Sequence, residues 1–111
     1  MQWTVGRVRI TKVNELESVG GTRFVLPQAS REEIQKLPWS IPHYATDEGQ
    51  LKMSIHSLLV ETPQHRIIVD TGLGNDKQGR SVPIWNNRTE PFLQWLTAAG
   101  FAPDTIDTVL C

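Results

Sequence analysis

The segment Arg66-Ile67-Ile68-Val69 constrains the fold of this chain more than any other. A strand that is apolar on both faces belongs inside a sheet covered on two sides. Before it, Leu51, Met53, Ile55, Ser57 and Leu59 recur at every second position, the pattern of a strand with one buried face. Pro63-Gln64 leaves room only for a tight connection, so the two segments read as a hairpin near the middle of a sheet. The apolar run then ends on Asp70-Thr71-Gly72. The simplest account of an acid there is a turn in which Asp70 bonds the backbone two residues on.

Local signals place the other elements. Val5, Arg7, Arg9 and Thr11 alternate with Gly6, Val8, Ile10 and Lys12, which predicts one strand over Trp3–Val13. Gly20-Gly21 breaks the pattern that follows. Ser30 with Glu33 three residues on opens a helix that Pro38 closes, and 38–49 reads as an irregular loop. A second loop runs from Gly72 to Arg88. The clearest helix follows: Thr89 is the expected cap, Pro91 suits an early position, Phe92, Leu93, Leu96 and Ala99 form a stripe, and Gly100 ends it. A last strand is expected over Ile106–Cys111.

Strand, loop, helix and strand after Asp70-Thr71-Gly72 is the start of an α/β layered unit, and the final strand reads as a core strand. Residues 1–111 are therefore expected to be a single partial domain, the N-terminal part of a larger one; a complete small α+β domain is the alternative. Bulk properties narrow the function. A net charge of -1 and a pI near 6.3 give no electrostatic footprint for nucleic acid or anionic lipid. The apolar runs are far shorter than the roughly 20 residues a bilayer requires. The single cysteine, Cys111, and the absence of a secretion-signal pattern in MQWTVGRVRI fit a cytoplasmic location.

Two catalytic readings compete for Asp70. Ile68-Val69-Asp70-Thr71-Gly72 resembles the motif of dimeric retroviral-like aspartic proteases, in which two such acids share a proton. Leu73 is bulky where that family has a small residue, no apolar pair precedes Gly79-Arg80, and a helix at 92–99 does not suit an all-β protease.

The whole stretch SLLVETPQHRIIVDTGLGNDK, followed by FLQWLTAAGFAPDTIDTVLC, instead resembles the N-terminal half of metallo-β-lactamase-fold hydrolases. Within them it is most similar to the branch of acyl-homoserine-lactone lactonases and methyl parathion hydrolase. The resemblance covers Leu51–Cys111 and implies an α/β fold, one flank of a four-layer αβ/βα sandwich. It also implies metal-dependent hydrolysis of an ester, lactone, amide or phosphotriester, with two zinc ions and a small-molecule substrate in the intact protein.

In that family the last strand leads into His-x-His-x-Asp-His, which would begin where Cys111 stands. No catalytic or metal-binding residue is therefore expected in this chain, which alone should bind no zinc and be inactive. By the same resemblance Asp70, Thr71 and Gly72 support the metal-bearing loop by hydrogen bonds. A non-catalytic α+β interaction module is the third reading.

Other residues carry weaker signals. His43, His56 and His65 lack metal-ligand spacing, and Cys111 reads as a small buried hydrophobe. Lys77 and Arg80 read as solvated surface. Phe24, Trp39 and Trp85 lie in loops; they could pack beneath them, form an apolar wall for a substrate, or contact a second copy in a homodimer.

Overall fold

The computed structural model describes residues 1–111. Its strands are β1 (Gln2–Val5), β2 (Val8–Val19), β3 (Lys52–Glu61), β4 (Arg66–Val69) and β5 (Thr108–Leu110), and its helices α1 (Arg31–Gln35) and α2 (Phe92–Ala98). One sheet takes them in the order β1-β2-β3-β4-β5. The chain divides into two compact units, Met1–Glu15 with Ile55–Cys111, and Leu16–Ser54.

In the first unit, β3 and β4 form the antiparallel hairpin expected from their patterns, with Leu58 opposite Val69 and Glu61 opposite Arg66. The Thr62 hydroxyl closes the turn by accepting the Gln64 and His65 N–H groups at 3.1 and 2.8 Å. β5 then pairs parallel with β4, Ile68 opposite Val109. The loop and α2 between them make a β-α-β crossover, the usual connection between parallel neighbours. The core is Val13, Leu59, Ile68, Leu96 and Phe101, with Phe92, Trp95, Ala99 and Ile106 packed against it. Phe101 also lies under a cation, since the Arg66 guanidinium sits 4.1 Å from its ring centre. Contacts of that kind contribute about 0.5–1 kcal/mol at partly exposed sites.

Three expectations are corrected here. Trp3–Val13 is not one strand: β1 and β2 form a hairpin in which Val5 faces Val8 and Gly6 takes the positive φ of +60°. A two-residue hairpin loop with glycine at its first central position preserves the alternation, which is why the break is silent in the sequence. Thr89 does not cap α2, whose N-cap is Pro91 with no side-chain cap. Cys111 is exposed, not buried, because β5 is an edge strand with Val109 and Leu110 at 57% and 50% exposure.

The Leu16–Ser54 unit begins its turn at Gly20 and Gly21, both at positive φ. Its α1 is short and capped as expected, Ser30 Oγ accepting the Glu33 N–H at 3.3 Å. Ile34, Ser40 and Ala45 are buried within it. Gly49 is required there, because a Cβ would lie 2.4 Å from the Arg31 carbonyl oxygen. No helix of the protein is long and apolar enough to cross a membrane.

Asp107 ties the start of β5 to β4. Its carboxylate accepts the Thr108 hydroxyl at 2.6 Å and the Arg66 N–H at 2.7 Å, with His65 Nδ1 at 3.4 Å. The Thr108 hydroxyl foremost, then the Arg66 N–H and the His65 charge, hold its pKa below the usual carboxylate value. A lowered folded-state pKa contributes stability that is present above the unfolded value and lost as pH falls through the folded one. Asp107→Asn is therefore expected to flatten the acid limb of stability below about pH 4. Urea-unfolding midpoints of both chains across that range check it; parallel curves would exclude the role.

Candidate functional site

The site is assembled where β4 ends. Asp70 follows Val69 with φ +65°, a left-handed conformation that Asp tolerates better than most residues. Its backbone is fixed on both sides: its N–H donates to the Leu110 carbonyl at 2.7 Å, and its carbonyl accepts the hydroxyl of fully buried Ser57 at 2.6 Å. The Asp70 carboxylate turns back onto the Gly72 N–H, which donates to Oδ1 at 2.7 Å. This is the local turn that the sequence allows. The side chain is exposed, yet the residue stands beside the last residue of β5.

Thr71 is exposed and lines a cleft of about 630 Å³ with Ile68, Asn75, Phe92, Leu96 and Val109. Gly72 is held differently. A Cβ at this position would fall 2.1 Å from Glu15 Oε2. Glu15 lies near the middle of β2 with its side chain 0% exposed. Its two oxygens accept the N–H groups of Leu73 at 2.6 Å and Gly74 at 3.2 Å. Arg88 approaches from the other side, with Nε 3.9 Å from Oε1 and Nη2 donating to the Glu15 carbonyl at 3.0 Å.

An ionised carboxylate loses several kcal/mol of hydration on burial. Two charge-assisted hydrogen bonds at about 1.5–3 kcal/mol each, with the guanidinium beside them, offset that cost. Glu15 is thus the buried acid of the loop, and Asp70 the exposed one.

The loop from 71 to 91 closes on itself. Asn75 donates to the Glu90 carbonyl at 2.7 Å and accepts the Glu90 N–H at 3.1 Å, replacing a strand partner. Arg80 donates to the carbonyls of Leu73 at 2.6 Å and Trp85 at 3.0 Å. Asn86 bridges back to Arg80, accepting its N–H and donating to its carbonyl, both at 2.9 Å. Arg80 is accordingly a staple of the loop and not the solvated surface residue expected. Glu15, Arg80 and Arg88 are the residues that sequence reasoning missed. For Glu15 a signal existed: it shares its strand phase with buried Val13, and an acid in an inward phase needs partners.

The aromatic candidates are dispersed. Trp85 is half-buried in a short 3-10 turn of the loop, outside the cleft lining. In the Leu16–Ser54 unit, Phe24 is 53% exposed on a small cavity, and Trp39 is 70% exposed, meeting Tyr44 edge-on at 6.4 Å. Trp39 is absent from the lining of that cavity.

Several solved structures share the architecture. A probable metal-dependent hydrolase from Staphylococcus aureus superposes with a TM-score of 0.63 at 22% identity, covering 96% of this chain and 38% of its own. AidC, a dizinc quorum-quenching lactonase in complex with a product, gives 0.63 at 22%, covering 98% of this chain and 34% of its own. The hydrolase AbOPH of the β-lactamase superfamily gives 0.57 at 20%, covering 97% and 33%. The fold is metallo-β-lactamase-like.

The chain spans about a third of the length of each of these hydrolases. No protein-family model matches the sequence, and no curated protein does so significantly. Within this metallo-β-lactamase-like fold, no group of three or more His, Cys, Asp or Glu side chains converges as a metal site would require. The residues present therefore do not fit a zinc centre, and no catalytic step through a metal follows from them.

Proposed function

We propose that residues 1–111 are the N-terminal portion of a metal-dependent hydrolase, one using two zinc ions on an ester, lactone, amide or phosphotriester. The fold shared over nearly the whole chain with metal-dependent hydrolases supports the reading. The observation that carries it is local: the Asp70 N–H is bonded to the Leu110 carbonyl, so Asp70 stands beside the point where β5 is left. His-x-His-x-Asp-His following Cys111 would emerge next to that carboxylate. Ligating histidines need an acceptor on their second ring nitrogen, and losing one typically costs about 10–100-fold in metal affinity or activity. Asp70 is exposed and within reach to provide it, with Thr71 beside it and Gly72 shaping the turn.

Zinc in such a centre supplies an acidified water and positive charge for a developing oxyanion. The contribution of this chain is a rigid support for the loop that holds it. The substrate is a small molecule, and the protein is read as cytoplasmic.

The gene downstream of the Cys111 codon tests the proposal. Continuation within a few codons into His-x-His-x-Asp-His is the expected result, and a stop codon there would overturn it. Zinc chloride titrated calorimetrically into residues 1–111 is expected to show no tight binding; a stoichiometric, tight site would place ligands in this chain and contradict the assignment.

A further inference from the structure

Three successive backbone N–H groups are divided between two acids. Gly72 donates to Asp70, while Leu73 and Gly74 donate to Glu15. The Asp70 backbone is secured independently by Leu110 and Ser57, but its carboxylate is oriented through the Gly72 N–H. The direction of that N–H depends on how Gly72 is held, and Gly72 lies against Glu15, which occupies the space a Cβ would take.

We infer that Glu15 is the positioning residue of the proposed site, setting the Asp70 carboxylate through the Gly72–Gly74 backbone. The role rests on the hydrolase reading for what Asp70 goes on to hold, while the coupling itself belongs to this chain. Glu15 is suited to it. It sits on a sheet strand, its side chain is fully buried, and it spends both oxygens on adjacent amides. Arg88 is the cation facing it, and Glu90 in turn lies 3.8 Å from Arg88. A site carried by a rigid strand is held more closely than one left to a loop.

The test is a double-mutant cycle of Asp70→Asn and Glu15→Gln, read on the Gly72, Leu73 and Gly74 backbone amides by NMR. With Glu15 in place, Asp70→Asn is expected to shift the Gly72 amide, which donates to that carboxylate. In Glu15→Gln the hydrogen exchange of Leu73 and Gly74 should quicken by roughly tenfold or more, and the Gly72 shift on Asp70→Asn should largely disappear.

A brace that merely stiffens the loop would change exchange and leave the Gly72 response to Asp70→Asn intact, and that result would overturn the inference. Should Glu15→Gln not fold, Asp70→Asn alone decides: a Gly72 amide that it does not shift overturns the inference equally. A stop codon after Cys111 would sink the hydrolase reading without altering these shifts, so the two failures are separable.

Discussion

Gly72→Ala is expected to leave the chain largely unfolded at 25 °C. Gly72 has φ +74°, and an L-residue forced there loses about 1–2 kcal/mol. The larger effect comes from Glu15. The new Cβ would sit 2.1 Å from Oε2 and 3.0 Å from Cδ, so the carboxylate must move. The end of a glutamate is ordinarily free to yield, but this one is enclosed and bonded to two amides. Displacing it sacrifices charge-assisted hydrogen bonds of about 1.5–3 kcal/mol each.

The sum, about 4–8 kcal/mol, is comparable to the whole stability of a small domain, roughly 5–15 kcal/mol. Gly74→Ala is the internal control. Its φ is +73°, but a Cβ there meets only Lys77 Cε at 3.9 Å, so only the backbone cost applies. Circular-dichroism melts of the two variants check the prediction. Equal, small losses would show that Glu15 does not stand where the geometry puts it.

Glu15→Ala is expected to cost about 3–5 kcal/mol, the range for removing one partner of a buried charged cluster. Two amides lose their acceptor, and Arg88, itself 9% exposed, loses the charge it faces. Asp70→Asn should cost under about 1 kcal/mol, because Asn keeps an acceptor for the Gly72 N–H and also tolerates left-handed φ. Urea denaturation of both variants gives the comparison. A loss at Asp70 equal to that at Glu15 would exclude the division of labour between exposed and buried acid.

What the sequence revealed follows how local each determinant is. The β3–β4 hairpin and α1 with its Ser30 cap depend on residues a few positions apart, and both are present. The helix α2 is also present, but its packed stripe is Phe92, Trp95, Leu96 and Ala99, with Leu93 60% exposed instead of facing the core as expected. The β1–β2 turn was hidden because a two-residue loop keeps inward and outward positions in step. Cys111 misled because apolar composition does not reveal whether a strand lies at an edge.

At the site, Asp70-Thr71-Gly72 was visible as a motif. Its partner was not, since Glu15 and Leu73 lie 58 positions apart. Only the inward phase of Glu15 beside Val13 hinted that the acid had work to do. The α/β fold that the resemblance over Leu51–Cys111 implied is the one shared with solved metal-dependent hydrolases.

Arg66 and Asp107, 41 positions apart, begin the parallel pairing of β4 with β5. Closing so long a segment has an entropic cost that the short β5 ladder regains only after the core around Phe101 has condensed. The third strand of this motif should therefore be the last to dock during folding and the first to open under native conditions. Proteases and chaperones would meet β5 in its open form while the β3–β4 hairpin was still intact.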